Sequence, residues 1–256
     1  MTMENFLVSE RVAEGKQEAA RSRAVFCGLA RNNAGTIKDT ISRIATTGAF
    51  FKEWEAIIFE NNSDDETLDV LAEVSKDHPV TTISHTYRDF KPFGPVATRK
   101  RAEHMAKCRN VYLDKVKHSY DEWQYMIVSD MDLQGWSATG VLHSLSYMNK
   151  YDVLSANGID YYNSKKIYYD IWTLVIDGVV QNNKIRAPWN EESSPIAVDS
   201  GFGGLAIYKI QPIQELSYGA WHDNFGVYGS EHTGLHMALK GIGAMQAINP
   251  FMLVER

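Results

Sequence analysis

Tyr125-Met126-Ile127-Val128-Ser129-Asp130-Met131-Asp132-Leu133 is an apolar run that ends in two carboxylates spaced by one residue. A run of this kind, without polar alternation, is the pattern of a parallel strand covered on both faces. Side chains of extended backbone alternate, so Asp130 and Asp132 are expected on one face while Met131 and Leu133 turn into the protein. Two adjacent carboxylates repel unless a cation or a hydrogen-bond network separates them. A hard, oxygen-seeking ion, Mg2+ or Mn2+, is the natural partner of such a pair. The same triplet in a solvated turn would mean little, and its place at a buried strand end gives it weight.

Outward from this strand the chain alternates strands and helices. Ala24 to Ala30 is a short apolar run closed by Arg31-Asn32-Asn33, and Ile37, Ile41, Ile44 and Ala45 then recur at helical spacing. Trp54 to Glu60 predicts a second strand, closed by Asn61-Asn62-Ser63-Asp64-Asp65. Ser63 with Glu66 three residues on has the spacing of a capping box for the helix that carries Leu68, Leu71 and Val74. Val80 to Ser84 predicts a third strand, Lys91 to Pro95 a loop, and 96–119 a helix with Met105, Cys108, Tyr112 and Val116 on its buried face. Trp136 to Met148 is expected to be helical, Asp152 to Asn157 and Gln246 to Pro250 to be strands, and another helix begins near Glu231. Gln181 to Pro195 is a polar loop long enough for a lid or binding loop. The pattern is α/β, a Rossmann-like, mostly parallel central sheet flanked by helices, with ligands expected at the carboxyl ends of its strands.

Composition narrows the function. A formal net charge of −6 argues against nucleic acid as the main partner, because phosphate backbones select for excess Lys and Arg. Cys27 and Cys108 are too few for a disulfide framework and suit a reducing compartment, so a cytoplasmic location is expected. The charged first twenty residues lack the apolar segment of a signal peptide. No run of 18 or more apolar residues predicts a spanning helix, which leaves peripheral contact with a membrane open. Gly201 to Ala206 fits a dinucleotide fingerprint in letters only, since an apolar β-type run rather than a helix follows. His232 and His236 sit one turn apart, but in neither zinc-hydrolase order.

Taken in order, Arg31-Asn32-Asn33, Asn61-Asn62-Ser63-Asp64-Asp65, Thr98-Arg99-Lys100-Arg101 and Asp130-Met131-Asp132 resemble the GT-A glycosyltransferases over most of the chain. The resemblance implies a GT-A-like single domain over 23–256 behind a helical or flexible leader, 1–22. Its nucleotide-binding half would cover about 23–133 and its acceptor-side half about 134–256. Glu60, Asn61 and Asn62 would then hold the nucleoside, with Arg31, Asn32, Arg99, Asp130 and Met131 on the nucleotide sugar. Asp130 and Asp132 would reach a divalent metal on its diphosphate. Gly203-Gly204 resembles the family's glycine loop, and Ser230-Glu231-His232 stands where many members carry x-E-D. Tyr168-Tyr169-Asp170-Ile171-Trp172 followed by Phe202 to Ala206 is similar to the capsule-associated mannosyltransferases of fungi and related microbial enzymes. Two departures stand out: His232 replaces the usual Asp, and no histidine follows His236 to act as the family's late metal ligand. The implied activity is metal-dependent transfer of a sugar from a UDP- or GDP-sugar to a saccharide or glycolipid hydroxyl, in surface polysaccharide or glycoconjugate synthesis.

The residues themselves carry part of this. A leaving nucleoside diphosphate builds negative charge that Mg2+ or Mn2+ at Asp130 and Asp132 would neutralise. Arg31 or Arg99 could add a forked phosphate contact, or serve as a surface salt-bridge partner. Glu231 or His232 is the candidate base, although a helix start favours a Glu in any case, and His236 is expected to pack against the sheet. Tyr169, Asp170 and Trp172 suit acceptor binding, because aromatic faces pack on sugars and a carboxylate among apolar neighbours needs a partner. Asp199 lies near the donor sugar or caps the Gly-rich turn. A nucleotidyltransferase would instead need a Gly-rich basic loop after its first strand, of which Ala30 to Gly35 is a poor version. The other alternative is a non-catalytic saccharide-binding or scaffold protein of the same fold, against which the intact Asp130, Asp132 and Glu231 count.

Overall fold

The central strands bury both faces, which is why they read as unbroken apolar runs. In the computed structural model, which describes residues 3–88, 91–94, 96–181 and 186–256 with side chains from residue 7 on, helix α1 (Met3–Arg21) precedes β1 (Arg23–Ala30). On β1, Ala24, Phe26 and Ala30 face one apolar layer and Val25 and Cys27 the other. Next come α2 (Ile37–Gly48), β2 (Glu53–Asn61), α3 (Thr67–Val74), β3 (Val80–His85), α4 (Arg99–Ser119) and β4 (Tyr125–Ser129). The second half holds β5 (Gly135–Trp136), α5 (Ala138–Leu145), β6 (Val153–Tyr162), β7 (Lys165–Tyr168), β8 (Val175–Ile176), β9 (Val179–Val180) and β10 (Ile196–Ala197). It closes with β11 (Leu205–Lys209), α6 (Ile210–Ile213), α7 (Glu231–Gly241) and β12 (Gln246–Glu255).

The main sheet runs β10-β12-β6-β11-β4-β1-β2-β3. β1 is parallel to β2 and β4, β2 to β3, and β6 to β12, while β11 is antiparallel to both its neighbours. The expected mostly parallel α/β sheet is therefore present. One layer packs α2, α3 and α5 on the sheet through Ile41, Leu71 and Leu142. The opposite layer packs α4 and α7 through Tyr112, Val116 and Leu235. Helix α1 lies against α5 so closely that a Cβ at Gly15 would sit 1.7 Å from the Leu142 carbonyl oxygen. Among the described residues no helix is long and apolar enough to cross a membrane.

Several local expectations are corrected. β4 ends at Ser129, so Asp130 to Leu133 form a loop rather than the end of a strand, although Met131 and Leu133 are buried as expected. Ser63 caps no helix: its hydroxyl accepts from the Asn32 amide, and α3 starts at Thr67, whose amide donates to Asp65 Oδ1 at 3.0 Å. The helix expected over 96–119 begins at Arg99, because Thr98 accepts from the Arg101 amide as its cap. Met105 on that helix is only partly buried. Trp136 is not helical; it pairs with Val254 of β12, and Ser137 caps α5 one residue later. Pro95 of the expected loop and residues 182–185 of the polar loop lie outside the described residues.

The turn entering β11 is the tightest point of this framework. Gly203 has φ +63, and a Cβ there would lie 2.3 Å from the Ala156 carbonyl oxygen. Gly203→Ala is expected to destabilise the fold by about 2–4 kcal/mol, from a left-handed backbone plus a backbone overlap that cannot relax cheaply. Urea unfolding should show a lower midpoint at an unchanged slope.

Candidate active site

The loop after β4 is built by its neighbours. The Asp130 amide donates to the Gly204 carbonyl at 2.9 Å, so the glycine turn fixes the first carboxylate's backbone. The Met131 carbonyl accepts from the hydroxyls of Thr36 (2.8 Å) and Thr40 (3.2 Å) on and before α2, and Arg43 reaches the Leu133 carbonyl. Gly28 leaves room for Met131, since a Cβ there would meet its sulfur at 2.6 Å. The loops after β1 and β2 are laced together in the same way. Asn33 and Asn32 donate their amides to Thr67 and Ser63, and the Asp64 amide donates to Asn32 Oδ1 at 2.8 Å.

Two adjoining cavities open at this end of the sheet. The larger is bordered by Arg31, Asn33 and Asn61 from the laced loops, Phe93 and His104 beside them, and Met131, Asp132 and Arg256 on the far wall. The smaller is bordered by Asp170, Trp172, Thr173, Ser230, Glu231 and His232. Arg101, Met105, Arg109, Asp130 and Tyr169 line both, so Asp130 stands where the cavities meet.

Arg109 organises that junction. Its side chain is 3% exposed; Nε donates to Glu231 Oε1 at 2.6 Å, and Nη2 lies 3.5 Å from Asp130 Oδ1. Nη1 donates to the Tyr112 hydroxyl, and the guanidinium faces the Phe202 and Tyr218 rings. Tyr169 donates its hydroxyl to Asp130 Oδ2 at 3.1 Å. Burial pushes the Asp130 carboxyl up to about 6, with Arg109 pulling against this and Asp132 adding to it. Exposed Asp132 faces Arg256 Nη2 at 3.8 Å, and the Arg256 guanidinium also covers the Tyr169 ring.

The expected site residues divide clearly. Arg31, Asn61, Asp130, Met131, Asp132, Tyr169, Asp170, Trp172, Glu231 and His232 line one cavity or both. Gly203 and Gly204 lie buried beneath, where they support Asp130 rather than line a cavity. Glu60 is buried and accepts from the Ser63 amide and the Ser84 hydroxyl, and Asn62 exchanges hydrogen bonds with the Tyr87 backbone. Arg99 is an exposed ion-pair partner of Glu103 at 2.6 Å; Arg101, two residues on, lines the cavities instead and lies over the Trp172 ring at 4.8 Å. Asp199 sits outside both cavities, accepting from the Gly178 amide and Lys240.

His232 is sandwiched. Its ring stacks on Phe202 at 3.8 Å, with the Tyr218 edge against it, and Nδ1 lies 3.3 Å from the Tyr208 hydroxyl. Burial, then Arg109 and His236, hold its pKa well below the usual histidine range, so the ring is neutral. His236 packs against the sheet as expected, with Nε2 2.7 Å from the Tyr208 hydroxyl.

Arg109 and Arg256 are not marked by any motif of the sequence, and in Thr98-Arg99-Lys100-Arg101 the expectation fell on Arg99 rather than Arg101. For Arg109 a signal existed: it falls on the apolar stripe of α4 with Ala102, Tyr112, Leu113 and Val116, where an unpaired charge is forbidden. Arg256 has no local signal, since only the pairing of β12 with β5 and β6 brings it to the site. Among the described residues no group of three or more His, Cys, Asp or Glu converges as a complete metal cage.

Residues 52–237 match the family described as Cryptococcal mannosyltransferase 1. Among solved structures, the mannosyltransferase PcManGT from Pyrobaculum calidifontis, in complex with GDP-Man and Mn2+, aligns with TM-score 0.56 at 15% identity, over 99% of this chain and 65% of its own. S. aureus TarS 1-349 aligns with TM-score 0.54 at 12% identity, over 91% and 59%. M. tuberculosis glucosyl-3-phosphoglycerate synthase aligns with TM-score 0.50 at 13% identity, over 95% and 76%. At these identities the likeness shows a common GT-A fold, and the chain spans less than two thirds of PcManGT and of the TarS fragment. Among curated proteins none matches the sequence.

The Arg109 pairing makes a stability prediction. Arg109→Met leaves Glu231 and Asp130 without their buried cation and is expected to cost about 3–5 kcal/mol. Adding Glu231→Gln should recover about 1–3 kcal/mol, because the stranded charge is removed with it. A double-mutant cycle by urea denaturation reads both numbers.

Proposed function

This chain belongs to the Cryptococcal mannosyltransferase 1 family and is a glycosyltransferase, and we propose that it moves a hexose from a UDP- or GDP-sugar to a hydroxyl of a saccharide or glycolipid. The observation that carries this reading is the meeting of two cavities at Asp130, the larger also bordered by Arg31, Arg256 and Asp132 and the smaller by Asp170, Trp172 and Glu231. In the larger cavity Arg31, Arg101 and Arg256 suit a diphosphate, since guanidinium forks match phosphate oxygens and stay charged at every working pH. Asn33 and Asn61 offer amides to the nucleoside. Trp172 and Tyr169 offer faces to sugar rings in and beside the smaller cavity.

Asp130 and Asp132 would hold a divalent ion. Both are hard oxygen donors bordering one cavity, each paired only loosely with an arginine at 3.5 and 3.8 Å. Two protein ligands leave positions open for phosphate oxygens and water, which suits Mg2+ or Mn2+ better than zinc. Such an ion would neutralise charge on the departing diphosphate. GDP-mannose is the first donor to test, because the family is named for mannosyl transfer and PcManGT is seen with GDP-Man and Mn2+. UDP-GlcNAc, seen with TarS, is the second.

On the acceptor side the protein must keep a hydroxyl oriented towards the donor's anomeric carbon and receive its proton. Besides Asp130, the smaller cavity is lined by the carboxylates of Asp170 and Glu231, and Glu231 with its neighbour His232 stands at the start of α7. We place the activity in surface polysaccharide or glycoconjugate synthesis on the cytoplasmic side, with peripheral membrane contact where the acceptor is a glycolipid.

Thermal stabilisation by GDP-mannose or UDP-GlcNAc, measured with and without Mn2+, tests the reading. At 100 times the Kd a bound donor adds about 2.7 kcal/mol, a clear rise in Tm. Asp132→Ala, at an exposed position, should leave the unliganded Tm unchanged and remove the Mn2+-dependent part of the rise. If neither donor shifts Tm in the presence of metal, the assignment fails.

A further inference from the structure

Resting on that proposed sugar transfer, we infer that Arg101 covers the sugar platform of the smaller cavity and that the donor's diphosphate draws it away. Arg101 and Trp172 suit two different tasks, and their arrangement makes those tasks exclude each other. The Arg101 guanidinium lies 4.8 Å over the Trp172 ring, so the face that would carry a sugar is already occupied. The smaller cavity measures about 80 Å³, whereas pockets that take small ligands span roughly 300–1,000 Å³. A hexose can stack on this face of Trp172 only after Arg101 has moved.

The two residues are held very differently. Trp172 is fixed at both ends: its Nε1 donates to the Tyr228 carbonyl at 2.9 Å, and its own carbonyl accepts from the Ser230 amide at 3.3 Å. Arg101 is held loosely. Helix α4 carries three arginines, and two of them, Arg99 and Arg109, each bind a glutamate at 2.6 Å. Among the described residues Arg101 has no such ion pair. Besides the Trp172 ring its guanidinium has a hydrogen bond from Nη1 to the Val96 carbonyl at 3.4 Å, near the limit for such a bond.

Arg101 also lines the larger cavity, together with Arg31 and Arg256. A diphosphate there presents paired oxygens to the guanidinium fork. A charge-assisted bidentate contact of that kind outweighs a cation–π contact and one long hydrogen bond. The guanidinium turns from the ring to the phosphate, and the Trp172 face opens beside the loaded donor. The exchange works in both directions: a sugar on Trp172 favours Arg101 on the diphosphate, so each substrate tightens the other by the same factor.

The test uses the full chain with GDP or UDP, whose diphosphate supplies the charge without turnover, and with Mg2+ in place of paramagnetic Mn2+. Six tryptophans contribute to the fluorescence, so Trp172 is isolated as the difference between wild type and Trp172→Phe. Acrylamide quenching of that difference signal should rise when the nucleotide binds. In an Arg101→Ala background it should be high from the start and stay unmoved at saturating nucleotide. Saturation-transfer NMR with the methyl α- and β-hexosides of mannose, glucose and galactose reads the platform itself. Nucleotide should tighten hexoside binding by roughly 2- to 30-fold in wild type, the range that loss of one cation–π contact spans, and leave it unchanged in Arg101→Ala. A nucleotide-induced rise in Tm with unaltered Trp172 quenching overturns the inference, because Arg101 then serves the phosphate from its place on the ring. Hexoside binding that is equal with and without nucleotide, or absent in both, overturns it as well. If neither nucleotide raises Tm in the presence of metal, the underlying proposal of sugar transfer falls, and this inference with it.

Discussion

A single buried guanidinium, Arg109, holds the site together. Removing an arginine and two carboxylates from water is costly, and only well-formed hydrogen bonds offset the loss. Arg109 meets this through its fork: one edge is bound to Glu231, one nitrogen goes to Tyr112, and another faces Asp130. A lysine could not serve three partners in one plane. The partners come from α4, α7 and the loop after β4, so one side chain ties both sides of the cavity junction to the sheet.

The glycine turn before β11 supplies the second constraint. Gly203 packs on the backbone of β6 and Gly204 accepts from the Asp130 amide, so the carboxylate pair is positioned by backbone rather than by a strand of its own. The loop from Asp130 to Gln134 would otherwise leave carbonyls unsatisfied. Thr36, Thr40 and Arg43 satisfy them from the α2 side, which joins the site to the opposite apolar layer.

What the sequence revealed follows the range of the forces involved. Apolar periodicity marks β1, β2, β4 and the helices between them because their burial is on both faces and locally repeated. Side-chain to backbone bonds are harder to assign from letters. Ser63 has the spacing of a cap, but a loop 31 residues away in sequence uses its hydroxyl, and helix α3 begins without it. Arg99 and Arg101 differ by two positions on one helix, so one meets solvent and Glu103 while the other meets the cavity; composition cannot separate them. Arg256 is wholly a product of tertiary pairing. Asp170 was visible as a carboxylate among aromatics, but its left-handed backbone and orphaned oxygen were not.

The division of charge between the cavities gives the proposed chemistry its direction. Arg31, Arg256 and Asp132 border only the larger cavity, Asp170 and Glu231 only the smaller, and Arg101, Arg109 and Asp130 line both. A glycosyl group leaving its phosphate becomes positive at the anomeric carbon while the phosphate becomes negative. Fixed arginines near the phosphate and fixed carboxylates near the anomeric carbon would stabilise both changes without reorganising. Glu231, bound to Arg109, ties the start of α7 to the same buried guanidinium that faces Asp130.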